Sequence, residues 1–212
     1  MHLYSRQLDD LHRYIKRRIY RIREIHAETS RSGIPKDTVA NSYVVIELDN
    51  LIVSSNRCFL ISSLIGTITM NNTHISCGAP IDSIHHAALA VLHSNIAVPS
   101  STPLNVRDYP TIRLKNALYH KAQSLSLQNV NSVFNATSFQ TSCFEEIRDT
   151  RHFFAHKNHH TAETARLSLR SRGISPNFKI LNAPIESVPG TNRSFFEDWC
   201  YDIEAFYSIL LR

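Results

Sequence analysis

The sequence predicts an all-α fold, a single helical bundle. Three observations lead there. Apolar residues recur at steps of three and four along much of the chain, which is the spacing of one helix face. The 212 residues hold five glycines, too few for a turn-rich β-sandwich or a glycine-loop nucleotide binder. No two runs of alternating residues joined by a turn form a convincing strand pair. At this length one well-buried core is expected, not two full-sized domains.

The elements follow in order. Tyr4, Leu8, Leu11, Ile15, Ile19 and Ile22 make one stripe on a long first helix, and Lys16, Arg17, Arg18, Arg21 and Arg23 make its other face basic. That face reads first as a solvated surface and second as a phosphate-binding one. "SGIPKD" breaks the chain, and a second long helix runs from about Asp37 to Ile65. Val44, Leu51, Cys58 and Ile65 fall seven apart; Leu48, Val45, Ile52 and Phe59 widen the stripe to what a central bundle helix needs. Asn56 and Arg57 interrupt it and are expected at the surface, with a site as the other option. Residues 66–82 are less regular, and "NNTHISCGAP" reads as loop. A short helix from about Ser83 to Asn95, the proline-rich connection "VPSSTPLNVRDYP", and a helix from about Thr111 to Ser126 come next. "SLQNVNSVFNATS" reads as a short helix between turns.

Ser142 with Glu145 fits the S-x-x-E capping box of a further helix, and Ser138 is an equally good N-cap. Thr161 fits the N-cap of a helix running to about Arg172, ended by "GISPN". "APIESVPGTN" is loop. Ser194 with Glu197 opens the last helix, which carries Phe195, Trp199, Ile203, Phe206 and Leu210 on one side.

A net charge of +5 and an isoelectric point near 9.1 lean weakly toward an anionic partner. Cys58, Cys77, Cys143 and Cys200 are far apart and form no C-x-x-C pair, as expected of reduced, buried thiols in a cytoplasmic protein. No signal-like apolar region opens the chain and no run of about 18 apolar residues occurs, so no membrane role is expected.

Chemistry concentrates in "EIRDTRHFFAHKNHH", residues 146–160. At 100° per residue, Phe144, Ile147, Phe154 and Ala155 share one arc, with Arg151 in its middle. Arg148, His159, His152, Glu145, His156 and Asp149 fill the neighbouring polar arc. An arginine on an apolar face needs a counter-charge. Three answers are open: an internal salt bridge to Glu47 or Asp49 on the second helix, a phosphate gripped by the guanidinium fork, or a symmetric dimer interface. The imidazoles leave as many. His152 and His156 are i, i+4, with His159 or His160 continuing the line, which suits zinc, plain polar surface, or acid–base catalysis. The glutamate of an H-E-x-x-H arrangement is absent.

Arg151-His152-Phe153-Phe154-Ala155-His156 resembles the R-x4-6-H motif of the HEPN superfamily (higher eukaryotes and prokaryotes nucleotide-binding), in which Asn, Asp or His follows the arginine. Two long N-terminal helices, a later motif helix with an aromatic pair, and "HKN" before another helix add context. The likeness covers roughly residues 1–172 and is closest to stand-alone bacterial HEPN proteins. It implies one HEPN-like helical domain over 1–212, with a loop-rich insertion at about 66–110 and a C-terminal extension at about 173–212 that adds a helix.

Many HEPN proteins are metal-independent ribonucleases, and the resemblance implies a homodimer with two motifs in one cleft and no cofactor or metal. Arg151 would stabilise the phosphorane, His156 would act as base or acid, and His152 would orient the site. Lys157, Arg166 and Arg170 would bind RNA, with Arg172 just beyond. An antitoxin or other regulatory protein is a further implied partner. A catalytically silent HEPN module binding RNA, a nucleotide or a protein is the alternative.

Overall fold

A computed structural model describes residues 4–31, 39–105, 109–175 and 177–212. Eight α-helices lie among the described residues: α1 Leu8–Arg31, α2 Val39–Ile65, α3 Ile84–His93, α4 Lys115–Ser124, α5 Val130–Thr137, α6 Cys143–His156, α7 His159–Arg170 and α8 Phe195–Leu210. A 3-10 turn spans Ile180–Ile185. The protein is thus predominantly helical, as the periodicity requires. The break "SGIPKD", the start of the second helix at Asp37, Asn105's three successors and Pro176 of "GISPN" lie outside the described residues.

The irregular segment 66–82 contains two strands, β1 Thr67–Ile68 and β2 His74–Ile75, the second inside the expected loop, paired antiparallel with Thr67 opposite Ile75. At two residues each they are too short to leave an alternation in the sequence. Gly66 makes the corner. Its N–H donates to Ser62 O at 3.0 Å and its φ is +116°, a value that a side chain rarely tolerates, so α2 stops there.

The chain divides into two compact units. One comprises Met1–Ile15, Ile52–Gln140 and Phe206–Arg212, and the other Lys16–Leu51 and Thr141–Ala205. In the first, Leu8, Leu11, Phe59, Leu89, Leu118, Val133 and Phe206 form the core. Asn56, expected at the surface, is 1 % exposed. Its amide donates to Ile112 O at 2.9 Å and accepts from the Tyr207 hydroxyl at 2.8 Å, so the polar interruption is satisfied inside the protein. Arg57 is half-buried beside it, with Nε donating to Pro110 O at 3.2 Å and the guanidinium 5.2 Å from the Tyr109 ring centroid.

In the second unit, Ile19, Ile22, Val44, Leu48, Phe144, Ile147, Ala165, Leu169, Phe195 and Trp199 are buried. The basic face of α1 is partly spent here on ion pairs. Arg18 donates to Glu47, and Arg23 donates to Glu204 at 2.9 Å. Ser194 and Glu197 cap α8 as their spacing predicts: the Ser194 N–H donates to the Glu197 carboxylate at 2.9 Å, and the Glu197 N–H donates to the Ser194 hydroxyl at 3.3 Å. No helix among the described residues is long and apolar enough to cross a membrane.

Candidate functional site

Helix α6 carries the site, and its buried sector is not the one the wheel suggests. Cys143, Phe144, Glu146, Ile147, Asp149, Thr150, Phe153 and Phe154 face inward, while Ala155 is exposed. The sector is therefore centred near Thr150, and Arg151 lies at its edge with 37 % of its side chain exposed. Glu146 causes the rotation. It sits one turn from Cys143 and one from Thr150, 0 % exposed, a carboxylate where apolar residues set the pattern.

That carboxylate is tolerated because partners meet it. Trp199 Nε1 donates to its Oε2 at 2.6 Å, the Ser142 hydroxyl donates to Oε1, and Arg172 NH1 lies 3.7 Å from Oε1. Burial still pushes the Glu146 carboxyl up from its ordinary value, with the Ser142 and Trp199 bonds and the Arg172 charge opposing. Ser142 therefore makes no cap bond to the helix backbone, and Ser138 belongs to the end of α5. Arg172 is drawn inward as well, since it also donates to Asp198 and lies over the Phe195 ring at 5.5 Å. Its charge is thus shared by two carboxylates of the same unit. The missed signal was a lone tryptophan, whose indole N–H requires an acceptor once buried.

The outer face of α6 is different. His152 and His156 are both exposed, with ring centroids 4.5 Å apart in an edge-on arrangement. Among the described residues neither imidazole has a hydrogen-bond partner or an acid in ion-pair range. Lys157 then ends the helix in the left-handed region, φ 47° and ψ 41°, and its N–H donates to Phe153 O at 2.7 Å. The turn takes His159 and His160 off the α6 line and into the first turn of α7, where both are exposed. Asn158, not Thr161, is the N-cap. Thr161 N–H donates to Asn158 Oδ1 at 2.9 Å, and Thr161 is the reciprocal third residue of the capping box. Among the described residues no three His, Cys, Asp or Glu side chains are grouped to hold a metal ion.

Arg151 is met by Asp49, one of the two acids its environment called for: Nε lies 3.6 Å from Oδ2, and the Asp49 side chain is 2 % exposed. Glu47, the other, is bound to Arg18. Lys157 is exposed, whereas Arg166 and Arg170 lie 3.6 and 3.9 Å from Glu163 and share its charge. The four cysteines are free and buried, and burial pushes the Cys200 thiol up to about 12, which makes it a poor nucleophile. No family model, curated protein or solved structure matches the chain.

Proposed function

We propose that the protein is a metal-independent endoribonuclease of the HEPN type, cutting RNA through its own 2'-hydroxyl at a site shared by two chains. The observation that carries this reading is the pair of exposed, unpartnered imidazoles, His152 and His156, 4.5 Å apart on the helix that also presents Arg151. In this reading His156 takes the 2'-hydroxyl proton or protonates the leaving 5'-oxygen. Arg151 meets the charge that develops on the non-bridging oxygens, and His152 orients the reacting groups. One chain offers a single motif, so a dimer would place a second Arg151 and His156 at the same phosphate. Products would carry 2',3'-cyclic phosphate ends, and DNA would not be cut. Lys157, Arg166 and Arg170 would hold flanking phosphates. A cytoplasmic toxin or phage-defence role, with an antitoxin or other regulator as partner, agrees with such an activity.

The test is incubation of total RNA with the purified protein in excess EDTA, beside His156→Ala prepared identically. Loss of RNA with the wild type and at least a ~100-fold slower loss with the variant is expected for removal of a general acid–base group. Equal rates would remove His156 from the mechanism. A silent binding module is the second reading. The Arg151–Asp49 ion pair favours a third, a purely structural bundle, because a counter-charge within the same chain gives the arginine a reason to exist without a substrate.

A further inference from the structure

Four guanidinium groups of the second unit are tied down by hydrogen bonds. Arg18, Arg23, Arg148 and Arg172 each donate a hydrogen bond to a carboxylate. Arg151 is held differently. Its contact with Asp49 is at ion-pair distance, Nε to Oδ2 at 3.6 Å, beyond hydrogen-bond reach. Among the described residues no other acid lies within ion-pair range of Arg151 and no hydrogen bond engages its two terminal amino groups.

The geometry points to Asp49 as a positioning residue for Arg151, which braces the guanidinium from its Nε side and leaves the edge carrying both terminal amino groups to grip two oxygens of an RNA phosphate. The assignment rests on the ribonuclease reading and adds to it a residue that the motif does not contain. Two features of α2 support it. Glu47 and Asp49 are two residues apart, a spacing at which helical side chains do not face each other. They accordingly serve different cations, Arg18 and Arg151. Asp49 is also almost wholly buried, whereas Arg151 is 37 % exposed, so the carboxylate sits behind the guanidinium and the open side is left to solvent.

A buried carboxylate 3.6 Å from Nε draws the planar fork toward that side, and the opposite edge can still take a bidentate anion. The carboxylate lowers the net positive potential of the site, so a resting phosphate gains little from the arrangement. Correct placement matters most when charge grows on the phosphorane. Asp49 should therefore influence turnover more than binding.

The experiment is a double-mutant cycle on cleavage of a short RNA, with binding of its uncleavable 2'-O-methyl counterpart measured in parallel. The proteins are wild type, Asp49→Asn, Arg151→Ala and the double variant. Asp49→Asn should slow cleavage about 10- to 100-fold, leave the dissociation constant within about threefold, and have no further effect once Arg151 is alanine. An Asp49→Asn protein that cuts as fast as wild type, or that loses the same factor in the Arg151→Ala background, overturns the assignment. If wild type binds but does not cut, the nuclease reading fails by itself; the cycle is then read on binding, where an effect of Asp49→Asn that vanishes with Arg151 upholds the pairing and one that persists overturns it. An oligonucleotide that wild type neither binds nor cuts overturns both. Should Asp49→Asn fail to fold, Arg151→Lys tests the same point, because lysine keeps the charge but has no second edge. It should bind and not cut, and cleavage at the wild-type rate would count against the brace.

Discussion

Lys157 occupies a backbone conformation in which glycine is the unstrained choice, because a side chain on a left-handed residue crowds the following carbonyl. It also sits beside His156, exposed, where a cation would be useful to an anionic substrate. The two demands conflict, and the strain itself is that of a helix end, since Ser94 closes α3 in the same conformation. Lys157→Gly is expected to stabilise the fold by about 1 kcal/mol, read as a melting temperature raised by a few degrees, and to weaken RNA binding. A lower melting temperature would show that the lysine side chain supports the fold instead. At this scale the motif was legible because it is local: Arg151, His152 and His156 are within two turns of one helix. Asp49 could be named only as one of two acids. Choosing between them depended on where α1 puts Arg18, a tertiary fact.

Helix α6 illustrates what periodicity misses at the scale of an element. An amphipathic pattern assumes that charged residues face water, yet Glu146 is the most deeply placed acid of the helix, with Ser142 at the helix's own N-cap and Trp199 and Arg172 from other elements supplying its partners. Each partner was visible in the sequence, but nothing in the spacing linked Trp199 and Arg172 to Glu146. The same network fixes a pH dependence. Burial raises the folded-state value of Glu146 above its ordinary 4.5, so the stability it contributes is fully present below that value and is lost as pH rises through the higher folded one. Glu146→Gln does not titrate. Its melting temperature relative to wild type should therefore climb as pH increases from about 4 toward neutrality, while Asp202, also raised by burial, titrates in both proteins and cancels only in part, because its charge also raises Glu146. A difference that stays flat across this range would mean that Arg172 and the two hydrogen bonds fully offset the burial. Glu146→Ala should cost about 3 kcal/mol at neutral pH, since it strands the indole N–H and part of the Arg172 charge.

For the whole molecule, the long stripes of α1, α2 and α8 carried most of the legible fold, and the boundaries set by side chains carried the rest poorly. Asn56 looked like a surface residue because its two partners, Ile112 and Tyr207, are far away in sequence. A shared site goes further still, because a residue's partner in a second copy of the chain leaves no trace in spacing. Chain mixing addresses it directly. Arg151→Ala and His156→Ala are each expected to be inactive as homodimers, the first having no arginine at the phosphate and the second no motif histidine. Co-expressed, they form a heterodimer whose single cleft holds one Arg151 and one His156, and a fraction of wild-type cleavage should return. If each chain worked alone, no mixture could regain activity, because every chain would still lack one of the two groups. Sedimentation of the wild type settles the premise: a dimer at micromolar concentration is required, and a monomer there would leave the proposed site with half of its groups.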